Sequence, residues 1–311
     1  MTTMTETVIR DQFPFWRAAL AMEVPRLRAA TIVVVGCGTS YYLAQSLACS
    51  YNAAGQRAIA VPGAEWARRP ECYLADMAGV LVLGLSRSGT TTETVQAVKM
   101  SRARGWATFA LSCEAGSEIL LAAEGALHVP TDGREGIVMS VSASLMLLAG
   151  LRLVGIVSAG DVVAQGEAAL VAVAGAAALL QGRTHFVYLG AGANYGIATE
   201  GGLKLQEMSI SYSQSFHPME YRHGPISLID DRSVVVMIYS PDTVAEEARV
   251  VADVQAKGAR VIGFGGPGDI GINATGLACL PALQMLGEMV ALQKGINSES
   301  PRHLTKVVVL G

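Results

Sequence analysis

Short apolar runs recur along this chain, and each is followed by a turn and a segment with helical character. Residues 32–35, 80–85 and 234–239 are runs of this kind, rich in valine, isoleucine and leucine. Continuous apolar runs of this length are typical of strands buried on both faces of a sheet. Their alternation with helical segments predicts an α/β fold in which a parallel sheet is covered by helices on both faces.

Two longer apolar segments predict helices. Segment 140–160 is almost long enough to span a bilayer, but Arg152 lies in its middle, where a charge is costly in lipid. We therefore predict a buried helix that runs to a turn. The alanine- and valine-rich segment 160–182 predicts a helix that joins two halves of the chain.

The chain contains an internal repeat, in which matching residues lie 154 positions apart. The matched pairs are Gly36 with Gly190, Gly38 with Gly192, Tyr41 with Tyr195 and Ala44 with Ala198. The same offset pairs Ser86 with Ser240, and each of these serines follows an apolar run. We predict two units, one at 1–157 with an N-terminal helix and one at 158–311 with the joining helix and a C-terminal tail.

Composition narrows the function classes. The 311 residues are 51% hydrophobic and carry a net charge of −3, with no block of lysine and arginine. Nucleic-acid or anionic-membrane binding therefore has no electrostatic support.

Five scattered cysteines form no CxxC pair, which favours reduced thiols in a cytoplasmic protein. No spacing of histidines or cysteines predicts a metal site. The N-terminus lacks an apolar signal core.

Segment 85–94, with the sequence LSRSGTTTET, crowds hydroxyl groups and a glycine between a predicted strand and a predicted helix. Backbone N–H groups and the positive end of the helix dipole converge at such a point, and hydroxyl groups add donors. We predict an anion site here, most simply for a phosphate ester. The alternative is an ordinary cluster of N-capping residues.

Residues 36–40, with the sequence GCGTS, form a second glycine-containing turn between a strand and a helix. Tyr41 replaces the third glycine of a dinucleotide-binding fingerprint, and the chain has no P-loop motif. We therefore predict no nucleotide cofactor. The turn either lets the backbone approach a ligand closely or is merely a tight connection.

Two further segments combine several reactive side chains. Glu200, Lys204 and Glu207 share one face of a predicted helix, either as a proton-transfer site or as a solvated, salt-bridged stripe. Segment 215–225 is predicted to be an irregular loop in which His223 either protonates a substrate or is held structurally by backbone. At the C-terminus a frayed tail is the default, but the apolar run after Lys306 predicts that the end of the chain docks. A docked lysine near a sugar carbonyl could form a Schiff base or donate a proton.

Five motifs occur in the order in which the sugar-isomerase (SIS) domain family carries them: GCGTS, SRSGTT, EGGLKLQE, EYRHGP and PRHLTK. The chain resembles that family over residues 30–306, as two tandem SIS units. It is similar to the isomerase half of glucosamine-6-phosphate synthase and to aminosugar-phosphate deaminases and isomerases related to tagatose-6-phosphate ketose/aldose isomerase. The resemblance implies that each unit is a flavodoxin-like, three-layer sandwich with a parallel sheet between helices.

The resemblance also implies binding roles for particular residues. Ser86, Ser88 and Thr91 match the family's phosphate-binding loop, and Arg87 contributes its backbone there. Further positions match contacts to the sugar or to the sugar and phosphate, namely Cys37, Gly38, Thr39, Ser40, Glu135 and Ser140.

Catalytic roles are implied in the same way. Glu207 matches the carboxylate that moves a proton between C1 and C2, and His223 matches a ring-opening histidine that in the synthases comes from the neighbouring subunit. Lys306 matches a terminal lysine that contacts the open-chain sugar, while Lys204 and Glu200 match supporting polar positions.

The expected function is that of a phosphosugar deaminase/isomerase that acts on an amino-sugar 6-phosphate as a homodimer without a cofactor. A deglycase of fructosamine 6-phosphates, or a non-catalytic phosphosugar sensor, is the alternative. Two departures from the synthases matter. The chain leaves no room for a glutaminase domain, so glutamine-dependent synthesis is not expected, and Ser142 stands where the synthases have a lysine.

Overall fold

The computed structural model of the chain describes residues 2–156 and 162–305. The strands in this part of the chain are β1 (Thr31–Gly36), β2 (Ala58–Pro62), β3 (Val80–Ser86), β4 (Ala107–Ser112), β5 (Gly125–His128), β6 (His185–Gly190), β7 (Ser213–Phe216), β8 (Ser233–Ile238), β9 (Arg260–Phe264) and β10 (Ile270–Ile272). The helices are α1 (Met4–Arg10), α2 (Phe13–Ala21), α3 (Thr39–Ala53), α4 (Gly63–Arg68), α5 (Thr92–Ala103), α6 (Glu118–Ala122), α7 (Val141–Leu153), α8 (Val162–Ala172), α9 (Ala177–Leu180), α10 (Ala193–Ser209), α11 (Pro218–Tyr221), α12 (Val244–Gln255) and α13 (Leu280–Gln293).

These elements group into two compact units. The first unit contains residues 14–133, 141–156 and 305, and the second contains residues 2–13, 134–140 and 162–304. The grouping differs from a single boundary at 157/158, because α1 and segment 134–140 both cluster with the second unit. Within that unit, Arg134 forms an ion pair with Asp11 at 2.9 Å, and the Gln284 amide donates to the Ser140 carbonyl at 2.9 Å.

Each unit is built on a parallel five-stranded sheet. The strand order is β2-β1-β3-β4-β5 in the first unit and β10-β9-β8-β6-β7 in the second. Read from the opposite edge, the second order is the same as the first, and both are the flavodoxin-like order. Every residue of β1 and of β8 is buried, as expected for central strands covered on both faces. The predicted α/β fold class is confirmed.

The internal repeat has the same backbone geometry in both units. Gly38, which precedes α3, has φ 55° and ψ −127°, and Gly192, which precedes α10, has φ 56° and ψ −128°. Residues with a side chain rarely adopt this conformation, so both turns require glycine. Two residues earlier, a Cβ atom on Gly36 or Gly190 would come within 2.6 or 2.4 Å of the backbone of the following helix.

The apolar segment after residue 140 forms the buried helix that the sequence predicts. Almost every residue of α7 is buried, and the Arg152 guanidinium donates to the carbonyls of Ala19 and Met22. The joining helix runs from α8 through a 3-10 turn at Val173–Ala176 to α9, and residues 157–161 lie outside the described part of the chain. By length and composition alone, Val162–Leu180 and Gly276–Gln293 could each cross a membrane, although the latter is mostly buried.

Segment 215–225 is more regular than predicted. Its start lies in β7, and its middle forms the short helix α11, followed by a 3-10 turn at Pro225–Leu228. The Tyr221 ring is fully buried and packs against the Phe216 ring with centroids 5.4 Å apart. This aromatic anchor explains the order, because burying large aromatic side chains stabilises the backbone that carries them. The predicted docking of the C-terminal run falls outside the described residues.

Candidate active site

The hydroxyl-rich loop of the first unit lies between β3 and α5, as predicted. The Ser86 hydroxyl accepts the Gly89 N–H at 3.0 Å and lies 3.3 Å from the Thr91 hydroxyl. The Ser88 hydroxyl accepts the N–H of Thr90 at 3.3 Å. Thr91 is the N-cap residue of α5, but its side chain makes no capping hydrogen bond. The loop therefore presents hydroxyl groups at the positive end of a 12-residue helix, which is the geometry of an anion site.

Gly89 and the segment after β4 hold this loop in shape. Gly89 has φ +66°, and a Cβ atom there would lie 2.0 Å from the Ser117 hydroxyl. The Arg87 carbonyl accepts the Cys113 N–H at 3.1 Å and the Ser112 hydroxyl at 3.1 Å. Arg87 itself is buried, in keeping with a backbone rather than a side-chain contribution.

The second turn of the first unit places Thr39 and Ser40, both buried, in the first turn of α3. Cys37 directly follows β1 in the chain, and its thiol lies 3.5 Å from the Thr94 hydroxyl. Burial raises the pKa of Cys37, opposed by the Thr94 hydrogen bond and reinforced by the nearby Glu93 carboxylate. A raised pKa keeps the thiol protonated at neutral pH, so the position fits a contact residue better than a nucleophile.

In the second unit, α10 gathers the three charged residues that the sequence places on one helix face. The Lys204 ammonium is 3.4 Å from a Glu200 carboxylate oxygen and donates a short hydrogen bond to Glu207. Lys204 is 1% exposed and Glu200 is fully buried, whereas the Glu207 side chain is 20% exposed. The solvated-stripe alternative is therefore excluded, and Glu207 is the one member of the trio that is accessible to solvent.

Two neighbouring carboxylates explain why Lys204 can be buried in its charged form. Burial by itself disfavours the ammonium form, but the Glu200 and Glu207 carboxylates outweigh it and raise the pKa of Lys204. The lysine therefore stays charged and fixes the Glu207 carboxylate through a charge-assisted hydrogen bond. Close packing allows the arrangement, since a Cβ atom on Gly287 of α13 would lie 3.0 Å from the Lys204 carbonyl.

Glu135 and Ser140 are brought together in the second unit by a tight segment before α7. A Glu135 carboxylate oxygen accepts the Ser140 N–H at 2.7 Å and the Ser140 hydroxyl at 3.1 Å. Both residues are buried. The bonds fix the Ser140 hydroxyl, which is what a residue that contacts a sugar requires.

Of the remaining two predicted catalytic residues, His223 is described by the structure and is not joined to this cluster. His223 is exposed at the end of the turn after α11, and its ring makes no hydrogen bond within the part of the chain that the structure describes. Lys306 lies outside the described residues. In residues 2–156 and 162–305, no group of three or more His, Cys, Asp or Glu side chains is placed to hold a metal ion.

Two features of the second unit were missed by sequence reasoning. The His217 ring stacks on Tyr195 in the repeated turn, with centroids 4.1 Å apart. Glu247 is 1% exposed and accepts the Ser240 N–H at 2.8 Å. The repeat offset was a usable signal for Glu247, because it pairs this residue with Glu93 at the start of α5.

Comparison with known proteins places this geometry in a family. A model of the SIS domain matches residues 27–153 and 179–268. The chain therefore belongs to the SIS domain family.

Relatives in sequence include the glutamine–fructose-6-phosphate aminotransferase of Pyrobaculum aerophilum. It is 29% identical over 316 residues, covering 91% of this chain and 52% of that protein. The corresponding enzyme of Xylella fastidiosa is 28% identical, covering 90% and 52%. The chain thus spans about half the length of the curated relatives it matches.

Solved structures match over nearly the whole chain. A glucosamine-6-phosphate deaminase from Thermotoga maritima superposes with a TM-score of 0.88 and 28% identity, covering 99% of this chain and 100% of that one. A tagatose-6-phosphate ketose/aldose isomerase from Escherichia coli superposes with a TM-score of 0.82 over 99% and 96%, and at 23% identity it supports the fold alone.

Proposed function

We propose that the chain is a phosphosugar isomerase that acts on an amino-sugar 6-phosphate and releases ammonia. The observation that carries the proposal is the buried Glu200–Lys204–Glu207 trio on α10. A lysine and two carboxylates so arranged serve proton transfer and have no evident packing purpose, since buried ion pairs seldom add net stability. The likeness to a glucosamine-6-phosphate deaminase along both chains supports the substrate class.

The phosphate is assigned to the Ser86–Thr91 loop. Hydroxyl groups and the N-terminus of α5 supply donors to a dianion there, and Gly89 keeps the loop in the required conformation. The turn at Cys37–Ser40 is assigned to the same end of the substrate. Binding a group remote from the reacting carbons holds C1 and C2 in place and lowers the entropic cost of reaction.

Proton transfer is assigned to Glu207. Its carboxylate takes the proton from C2 of the open-chain amino aldose, and the electrons of that C–H bond form the C1–C2 double bond of an enolamine while the π electrons of the C1 carbonyl move to O1, which takes a proton from water. When the carboxylic acid returns its proton to C1, the nitrogen lone pair forms the C2–N double bond as the C1–C2 double bond is lost, which gives a protonated imine at C2 and a hydroxyl group at C1. Lys204 holds the carboxylate in one orientation, and Glu200 balances the lysine charge.

Hydrolysis completes the deamination. Water adds to C2 of the imine, and the C–N bond breaks to give a ketose 6-phosphate and ammonia. Lys306 is proposed to contact the open-chain sugar and to exchange with the imine. Glu135 and Ser140 are proposed to bind sugar hydroxyls, where Ser142 replaces the lysine of the synthases.

Glu207→Gln tests the proposal, because it keeps the hydrogen bond to Lys204 and removes the base. We expect exchange of the C2 proton with solvent deuterium, followed by NMR on glucosamine 6-phosphate, to fall by about 10²- to 10⁴-fold. Binding of the phosphosugar, measured by calorimetry, should persist. Glu246→Gln, at an exposed position of α12, is the control. Exchange at the wild-type rate in Glu207→Gln would exclude this role.

The product separates deamination from its alternatives. Release of ammonia from an amino-sugar 6-phosphate supports the proposal, whereas release of an amino acid from a fructosamine 6-phosphate identifies a deglycase. Phosphosugar binding with neither product identifies a sensor.

The five cysteines are free thiols, which supports a cytoplasmic location.

We further propose that the enzyme is a homodimer in which His223 acts on the partner's substrate. The exposure of His223 and the lack of any ring hydrogen bond in the described part of its own chain support this assignment. Complementation tests it. Glu207→Gln and His223→Ala homodimers should each be inactive, while mixed dimers should regain up to about half the activity per active-site pair. Failure of mixed dimers to regain activity would place His223 in its own chain's site.

A further inference from the structure

A fully buried glutamine lies within the second unit, on the mostly apolar helix α13. Gln284 is 0% exposed, so both polar atoms of its amide need hydrogen-bond partners inside the protein. Its oxygen accepts from the Gln12 amide at 3.1 Å, and its nitrogen donates to the Ser140 carbonyl at 2.9 Å. Gln284 therefore links α13 to segment 134–140, which we call the sugar-contact segment because it carries Glu135 and Ser140.

The hydrogen bonds that reach Gln284 fix the orientation of its amide. The Ile9 carbonyl can only accept, so the Gln12 nitrogen faces it, at 2.8 Å. The same nitrogen donates to the Gln284 oxygen, which leaves the Gln284 nitrogen facing the Ser140 carbonyl, again a group that can only accept. Gln12 is also fully buried, so water does not compete for these bonds.

Helix α13 also contacts α10, the helix that carries the proposed base. A Cβ atom on Gly287, three residues after Gln284, would lie 3.0 Å from the Lys204 carbonyl of α10. In the other direction, a Cβ atom on Gly201 of α10 would lie 3.2 Å from the Leu283 side chain. Backbones packed this closely leave the two helices little freedom to shift, because protein interiors contain few voids. Helix α13 is thus in contact with α10 as well as with the sugar-contact segment.

Ser140 is held from two directions. The Glu135 carboxylate accepts its N–H and its hydroxyl, and the Gln284 amide donates to its carbonyl. Glu135 belongs to the same short segment as Ser140 and moves with it, whereas Gln284 belongs to a core helix. Gln284 therefore connects the position of Ser140 to α13 and, through α13, to α10.

We propose that Gln284 is a positioning residue, which sets the distance between the Ser140 hydroxyl and the Glu207 carboxylate. It acts through Ser140 and is not itself in contact with the sugar. The proposal rests on the proposed function, in which Ser140 binds a sugar hydroxyl while Glu207 moves the proton. Connecting both groups to one core helix keeps the bound sugar aligned with the base, and a misplacement of about 1 Å lowers a rate about 100-fold.

The variant Gln284→Met tests the proposal, because it keeps the side chain long and removes the donor to Ser140. Exchange of the C2 proton of glucosamine 6-phosphate with solvent deuterium is followed by NMR at limiting and at saturating sugar. We expect the saturating rate to fall about 10- to 100-fold. The half-saturating sugar concentration should stay within about threefold, since the phosphate is assigned to the first unit and still supplies binding energy.

Gln12→Met is the matched control, since it removes a second fully buried amide and leaves the Gln284 donor to Ser140 in place. Both variants should lower the midpoint of urea denaturation, because each removes buried hydrogen bonds. The saturating rate of Gln12→Met should nevertheless stay within about threefold of the wild type, since Ser140 keeps its donor. Gln284→Asn, whose shorter amide does not reach both partners, should lower the rate about tenfold and serves if Gln284→Met does not fold.

A double-mutant cycle with Ser140→Ala shows whether Gln284 acts through Ser140. We expect Ser140→Ala alone to lower the saturating rate about 10- to 100-fold. Adding Gln284→Met should then lower it by less than about threefold more, because two residues that act as one unit have non-additive effects.

Three results would overturn the proposal. They are a wild-type saturating rate in folded Gln284→Met, an equal loss of rate in Gln12→Met, and losses that multiply in the double mutant. When Glu207→Gln shows its expected loss of exchange, each of these results leaves the proposed function standing. Exchange at the wild-type rate in Glu207→Gln rejects the proposed function and this proposal together.

Discussion

The two units share the same strand order and turn geometry, but the matching connections before α5 and α12 carry hydroxyl groups in one unit and carboxylates in the other. In the first unit, the connection from β3 to α5 presents the hydroxyl groups of Ser86, Ser88 and Thr91. In the second, the matching connection from β8 to α12 presents Asp242, and the first turn of α12 adds Glu246 and Glu247. One connection attracts an anion to the helix N-terminus and the other repels it.

The Glu247 carboxylate accepts a backbone N–H of the β8–α12 connection, so that donor has a partner without a ligand. Its carboxylate is buried and accepts the Ser240 N–H at 2.8 Å. An internal carboxylate at a helix N-terminus takes the place that an external anion would occupy. The second unit therefore keeps the fold of an anion-binding unit and provides its own anion.

The helix after each repeated turn shows the reverse pattern. In α10, Glu200, Lys204 and Glu207 form the buried charged trio. At the same offset, α3 carries Ser46, Ser50 and Ala53, none of which is charged. A duplicated scaffold thus supplies equivalent positions, and substitutions at a few of them decide whether a unit carries the proposed phosphate loop or the proposed proton-transfer trio.

The largest effect is expected for Lys204→Met. Removing the buried ammonium leaves two carboxylates next to each other, which should reduce the free energy of unfolding by about 3–5 kcal/mol. Urea denaturation at pH 7 measures this change. Lys257→Met, at an exposed lysine after α12, is the matched control and should have little effect. A loss below about 1 kcal/mol for Lys204→Met would be the value of a surface pair and would contradict the buried trio.

An intermediate effect is expected from the paired variants Ser86→Ala and Ser240→Ala. Ser86→Ala removes the donor to the phosphate in the proposed site and the acceptor for the Gly89 N–H, so KM should rise about 10- to 100-fold. Ser240→Ala should leave KM within about twofold, because Glu247 already satisfies that connection. Equal changes in KM would show that the two connections do not differ in function.

The smallest effect is a pH dependence at Glu247. Burial raises the pKa of this carboxyl above its ordinary value of 4.5, opposed by the Ser240 N–H and reinforced by Asp242 and Glu246. The folded state then holds the proton to a higher pH than the unfolded state, so stability falls as pH rises from 4.5 through the folded pKa. The variant Glu247→Gln has no carboxyl to titrate at this position, so this decrease in stability with rising pH should be absent.

Urea denaturation between about pH 4 and 7, across the expected titration range, checks the effect. The stability of Glu247→Gln relative to the wild type should increase with pH over this range. Glu23→Gln, at an exposed position before β1, should follow the wild-type profile. A relative stability that is independent of pH would contradict the raised pKa.

Much of the scaffold was predictable because its signals are local. Buried strands such as β1 and β8 are continuous apolar runs, and the paired glycines at 36/38 and 190/192 mark one turn geometry that other residues rarely adopt. The repeat offset then follows from comparing the chain with itself. The strands and turns depend on residues only a few positions apart, so the sequence alone is enough to predict them.

Burial and grouping were decided only by tertiary structure. A helical spacing places Glu200, Lys204 and Glu207 on one face but does not say whether that face meets solvent or the packed α13. Segment 134–140 joins the second unit through Asp11 and Gln284, partners that lie more than 100 residues away. The sequence by itself determined two matching scaffolds. The chemistry of each depends on contacts between distant residues, and a linear pattern does not specify which ones meet.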